Sequence, residues 1–163
     1  MNPRTRSTTQ LSLPATTHSY LSRAAESLSE AVTATEATTR YACAHVAALR
    51  AAAALLAARA TPTTPTRRKP QKNAWVLLSE VAPELAEWAG FFAAGAGKRA
   101  AAEAGSRRAV TEREADDLVR DADRFLAVVE QSLGLVPHEP TLPYLVQQTI
   151  PAPVVHLANR RVG

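Results

Sequence analysis

Between Ala74 and Arg99 the chain reads AWVLLSEVAPELAEWAGFFAAGAGKR, with apolar residues three or four positions apart at Ala74, Leu78, Val81, Leu85, Trp88 and Phe92. That spacing is the period of one helix face and is not the alternation of a half-buried strand. Both tryptophans and two of the three phenylalanines fall in this stretch, which makes it the anchor of the core. Hydrophobic residues make up 46% of the chain but aromatics only 5%. Much of the apolar content is alanine, so the core has to consist of closely packed helices with small residues at their contacts. A chain of 163 residues is long enough for one such domain with extended ends and too short for two comfortable ones.

In chain order, Met1 to Pro14 is rich in Ser, Thr, Arg and Pro and is expected to be a disordered arm. A first helix is expected from Ala15 or Thr16 to Ala34, with Leu21, Ala24, Ala25, Leu28 and Val32 on its buried stripe. Thr33, Thr35, Thr38 and Thr39 weaken helix and offer capping hydroxyls, which places a turn there. A second, alanine-rich helix spans Arg40 to Ala60, with Tyr41, His45, Ala48, Leu49, Ala52, Leu55 and Leu56 facing inwards. Three prolines in TPTTPTRRKPQK, residues 61–72, end the helical pattern and make a basic, exposed linker.

Asn73 is placed to cap a third helix reaching Ala82. Pro83 either kinks the chain or opens a fourth helix, and Glu84 and Glu87 favour the second option by putting negative charge near a helix start. That helix should run to Ala104 and stop at Gly105. Gly90, Gly95 and Gly97 weaken it and are expected where a neighbouring backbone passes close. The fifth helix has a capping-box signature in Thr111 and Glu114, a face of Ala115, Leu118, Val119, Ala122, Phe125, Leu126, Val129 and Leu133, and a stop at Gly134. The expected organisation is an arm over 1–14, a helical domain over 15–134 and a flexible, proline-containing tail over 135–163, with Tyr144, Leu145 and Val146 as a docking segment if the tail has one.

Charge is unevenly spread. Residues 1–72 carry ten basic and three acidic side chains, whereas residues 73–134 carry seven and eleven. A basic front half suits phosphates, and an acidic back half suits a basic partner. The single cysteine, Cys43, excludes an internal disulfide or a cysteine-based zinc site and fits a reducing compartment. Met1 to Gln10 lacks the apolar run of a signal peptide. The longest apolar run, Ala51 to Ala58, is fenced by Arg50 and Arg59 and falls short of the roughly 20 residues of a membrane span. A cytoplasmic location without membrane contact is the expectation.

Gly95-Ala96-Gly97-Lys98 looks like the end of a phosphate-binding P-loop, but Phe92 stands where the first glycine belongs and Arg99 where the hydroxyl belongs. A helix also precedes it in place of a strand. The histidines at 18, 45, 138 and 156 are scattered, so no metal site or cofactor is expected.

The block AWVLLSEVAPELAEWAGFFAAGAGKRAAAEAG, preceded by RYACAHVAALRAAAALLAARA and followed by RAVTEREADDLVRDADRFL, resembles an actinobacterial subfamily of HEPN domains. The similarity covers residues 18–133. Sixteen arginines against three lysines agree with a GC-rich genome. The resemblance implies an all-α, up-and-down bundle of four to five helices that forms a homodimer, in a superfamily where many members bind or cut RNA, some as toxins or defence proteins. A nucleotidyltransferase or another protein is an implied partner. Catalytic members carry an arginine and, four to six residues on, a histidine. RNA is cut without metal, the histidine moving protons and the arginine holding phosphate. Arg40 and His45 have this spacing, although Tyr41 replaces the usual small polar residue. Arg67, Arg68, Lys69 and Lys72 form the basic cluster that would meet phosphates.

A plainer reading of the same residues stays open. Five residues turn a helix by about 140 degrees, so Arg40 and His45 should diverge, and His45 shares a stripe with Tyr41 and Leu49, as a core histidine would. The sequence therefore supports an RNA binder or weak metal-independent ribonuclease on one side and a non-catalytic interaction module on the other.

Overall fold

The computed structural model describes residues 12–60 and 72–141. Within them lie five α-helices and no strand: α1 (Ala15–Thr33), α2 (Ala37–Arg59), α3 (Ala74–Val81), α4 (Ala86–Glu103) and α5 (Glu112–Ser132). The all-α bundle expected from the helical spacing is what forms. Residues 1–11 of the arm, the linker residues Arg67, Arg68 and Lys69, and Tyr144 to Val146 of the tail lie outside the described residues.

Helix α2 is the centre and packs against each of the other four helices. Its buried residues are Tyr41, Ala44, His45, Ala47, Ala48, Ala51, Ala52, Ala54 and Leu55. Six alanines in that set let neighbouring backbones approach closely, which is how a chain poor in aromatics fills its interior. By length and composition α2 could also cross a bilayer, yet half of its most apolar window is buried inside the bundle. Thr17 ties α1 to it, the buried hydroxyl donating to the Ala54 carbonyl at 3.2 Å.

Two local expectations change. Helix α2 begins at Ala37, a turn before Arg40, so Thr38 and Thr39 lie inside it, and Glu36 at its cap makes no side-chain bond. Thr33 instead bonds back to the carbonyls of Ser29 and Glu30 within α1. In α1 the buried set is Thr17, Ala24, Ser27, Leu28 and Ala31, while Ala25 is exposed.

The stretch from residue 74 buries a stripe rotated by one position from the one read in the sequence: Trp75, Leu78, Ala82, Leu85, Ala89 and Phe92. Both stripes have helical spacing and share Leu78, Leu85 and Phe92. The alanines at 82 and 89 decide between them because they fit against a neighbour, whereas Val81 remains exposed. The helix does break at Pro83. Ala82 adopts φ −133° and ψ 73°, and a 3₁₀ turn, Pro83–Leu85, leads into α4 with proline at its first position.

Phe92 is the hub of the aromatic core. Its ring stacks on Trp75 at 5.2 Å and on Trp88 at 5.9 Å, and meets Phe125 of α5 at 5.1 Å. Helix α5 is held as its sequence predicts. Thr111 Oγ1 accepts from the Glu114 amide at 3.2 Å, and a Glu114 carboxylate oxygen accepts from the Thr111 amide at 2.9 Å. Gly105 and Gly134 have φ of 87° and 75°, and the paired bonds that follow, Ser106 N–H to Ala101 O and Leu135 N–H to Glu130 O, close α4 and α5 as Schellman caps.

Candidate functional site

Arg40 sits one turn into α2 and uses all three guanidinium nitrogens. Nη1 donates to Glu112 at 2.9 Å and Asp116 at 2.7 Å, Nε to the Ala34 carbonyl and Nη2 to the Thr35 carbonyl. It clamps the α1–α2 turn to the first turns of α5. A guanidinium with four acceptors and a side chain only 15% exposed has little left with which to hold a phosphate.

His45 lies one turn further along and faces other neighbours. Its ring is 1% exposed, sits edge-on to Trp75 and Phe92, and its Nε2 lies 2.8 Å from the Phe92 carbonyl. A carbonyl only accepts, so Nε2 carries the hydrogen and Nδ1 of the neutral ring presents a lone pair. Burial pulls the imidazole below its usual value, against the opposing pull of the Phe92 carbonyl, which keeps the ring neutral at physiological pH. Arg40 and His45 are thus not brought together in the single chain: one bonds α5 and the α1–α2 turn, the other α4.

Gly95 explains how α4 comes so close to His45. A Cβ there would lie 2.8 Å from the Tyr41 hydroxyl and 3.5 Å from His45 Cδ2. The expected close approach is therefore real at Gly95, but at Gly90 and Gly97 a Cβ would meet nothing within 4 Å. The run Gly95 to Lys98 is inside α4, as its mismatch with a P-loop predicts, and Lys98 pairs with Glu114.

His45 also lines a surface cleft of about 460 Å³ together with Lys72, Asn73, Trp75 and Arg99. Asn73 caps α3 as expected, its side-chain oxygen accepting from the Trp75 amide at 2.9 Å. Lys72, one of the predicted basic residues, precedes α3 and pairs at 2.6 Å with Glu80 in the last turn of that helix. Arg99 was not read from the sequence as a site residue. The signal was there: continuing the buried stripe beyond Phe92 by four and then three residues gives Ala96 and Arg99, a charge on a core-facing line. Both line the cleft.

Two buried side-chain nitrogens have no hydrogen-bond partner among the described residues, His45 Nδ1 and Arg99 Nε, and both belong to residues of this cleft. Arg99 Nε is 3.7 Å from Glu103, an exposed carboxylate. His138, by contrast, is fully engaged. Its Nδ1 lies 2.8 Å from Glu130 and its Nε2 2.9 Å from the buried Asp123, so residues just past α5 fold back onto that helix. No group of three metal-ligand side chains occurs among the described residues.

The model of the SAV_6107-like HEPN family matches residues 31–130, which is more than half of the chain and takes in α2 through most of α5. No curated protein and no solved structure matches the chain. With its five-helix bundle and this match across the core, the chain belongs to the HEPN family.

Proposed function

We propose that this chain is an RNA-associated HEPN protein that binds RNA without cutting it. The observation that carries the non-cutting part is the separation of Arg40 from His45. Metal-independent cleavage needs a base and a phosphate-holding cation converging on one ribose phosphate. Here Arg40 is bonded to Glu112 and Asp116 of α5, while His45 Nε2 is bonded to the Phe92 carbonyl of α4.

Support for RNA as the ligand comes from family membership, the basic front half and the cleft. Lys72 and Arg99 line that cleft, and Arg67, Arg68 and Lys69 precede Lys72 closely in sequence. A homodimer, and a toxin or defence setting with a nucleotidyltransferase as partner, belong to the same reading through the family. A second reading, a non-catalytic protein-interaction module, is favoured by Phe91, which is 47% exposed and lies edge-on to Trp88 at 6.4 Å.

Labelled RNA incubated with the purified chain in chelator tests both. Retardation at low salt that weakens steeply as salt rises, with no cutting, is the expected result. Cutting that survives the chelator overturns the non-cutting reading. Neither retardation nor cutting removes RNA and leaves the interaction module.

A further inference from the structure

We propose that the cleft between α2, the start of α3 and α4 is a binding site for a phosphomonoester, held by Arg99 and His45 together. The two unpartnered nitrogens are complementary in kind. Arg99 Nε–H is a donor, and His45 Nδ1 is an acceptor because its Nε2–H is committed to the Phe92 carbonyl. A ligand that satisfies both must offer an acceptor to the one and a donor to the other. Leaving either nitrogen unmatched in a buried setting is costly, so a matched ligand gains from both.

A phosphomonoester has that pattern. Its second ionisation lies at about 6, so near neutral pH one proton is readily held between a phosphate oxygen and Nδ1 while other oxygens accept from Arg99. Sulfate and an internal phosphodiester bring no such proton. To bond Nδ1 they would need a protonated His45, which its burial disfavours. Among the described residues, Arg99 and Glu103 act on the ring from α4, and Lys72, just before α3, lines the same cleft while paired with Glu80 in the last turn of that helix.

The remaining charges suit an anion. Glu103 and Glu80, the carboxylates now beside Arg99 and Lys72, are about half exposed, at 47% and 50%. Exposed pairs of this kind are weak and yield to a ligand that bonds both cations. Ala74 and Trp75, at the amino end of α3, form part of the wall, so the positive end of that eight-residue helix adds to the field. The clusters at Arg40 and His138 do not offer this, since each guanidinium or ring nitrogen there already has a partner within the chain.

The site deepens the RNA reading and rests on it for the ligand's source, an RNA end carrying a terminal phosphate, with a free mononucleotide or inorganic phosphate as the other source of the same chemistry. The experiment titrates the full chain with sodium phosphate and, at matched ionic strength, with sodium sulfate, following the His45 ring and Arg99 Nε resonances by NMR. Phosphate is expected to shift both saturably, with sulfate at least about tenfold weaker, the size of one charge-assisted hydrogen bond. Arg99→Gln should lose about tenfold in phosphate affinity with its helical circular dichroism unchanged. His45→Gln serves as a second variant where it folds.

Equal response to sulfate and phosphate, or an Arg99→Gln chain that binds phosphate like the wild type, overturns the proposal. RNA oligomers with phosphate or hydroxyl ends then separate the sources. Preference for phosphate ends supports the site on RNA. Phosphate binding with no RNA retained supports the site and removes the RNA reading. RNA retained regardless of its ends, with no phosphate response, overturns the site and leaves the RNA reading standing.

Discussion

At the Arg40 end of the bundle every guanidinium nitrogen has a partner, two of them carboxylates of α5 and two of them carbonyls of the α1–α2 turn. In the cleft by Arg99 two buried nitrogens on facing helices have no hydrogen-bond partner among the described residues, and Arg99 Nε has only the Glu103 carboxylate at 3.7 Å. Both places hold an arginine, and one histidine spacing in sequence pointed to the first. The difference shows what a sequence motif leaves out: spacing says which groups are near along the chain, whereas availability depends on what else has bonded them. Arg40 is bonded within the chain because α5 brings Glu112 and Asp116 to it, and those lie 72 and 76 residues away.

The largest effect is expected at the wall shared by the aromatic core and the cleft. Phe92→Ala removes a fully buried ring that stacks on both indoles, and should cost about 3–5 kcal/mol in denaturant unfolding. Since the Phe92 carbonyl also holds His45, the His45 ring should broaden or move in NMR spectra even where the variant stays folded.

Arg40→Ala should cost about 1–2 kcal/mol, because its partners are only partly buried. A double-mutant cycle with Asp116→Asn, measured by chemical denaturation, should show coupling of about 0.5 kcal/mol or more. No coupling would mean the clamp is not formed in solution. Thr111→Ala should cost about 1 kcal/mol by removing the capping box. Hydrogen bonding from Lys98 and from Thr111 lowers the Glu114 carboxyl to about 2. Its contribution is therefore present above its ordinary value of 4.5 and fades as pH falls through about 2.

Two histidines should respond to pH in opposite senses. Burial disfavours His138's charge, but the hydrogen bonds its ring donates to Asp123 and Glu130 outweigh it and raise its pKa. Its contribution is full below the ordinary value of 6.5 and is lost as pH rises through the higher folded value. His45 is lowered, mainly by burial, so its contribution is present above 6.5 and is lost as pH falls towards the lower folded value. NMR titration of the two rings checks the order: His138 should titrate above His45. The smallest effect is expected at the glycines of α4. Gly97→Ala should raise stability by about 0.5–1 kcal/mol, whereas Gly95→Ala should fall short of that in thermal melts because it displaces Tyr41.

Helix existence and caps were readable because they depend on neighbours in the chain. Thr111 with Glu114, Asn73 before Trp75, and the glycines after α4 and α5 all act within a few residues. The stripe through residue 74 onward was readable to within one position, since two stripes with the same period share Leu78, Leu85 and Phe92 and only packing at Ala82 and Ala89 separates them. Arg99 lies on the continuation of either stripe beyond Phe92, so its place on the core-facing line was legible too, whereas the packing that puts His45 of α2 in the same cleft was not. His138 was missed for a related reason: its carboxylate partners are on α5, and nothing local marks Asp123 as buried beneath the start of the tail.

The central claim is that the chain's available polar chemistry lies at Arg99 and His45 and not at Arg40. The most direct measurement compares the affinity of wild type, Arg40→Gln and Arg99→Gln for one phosphate-ended RNA at a single low salt concentration, each first shown to be helical. The account predicts a loss of about tenfold for Arg99→Gln and wild-type binding for Arg40→Gln. The reverse order, with Arg40→Gln losing affinity and Arg99→Gln keeping it, would contradict it.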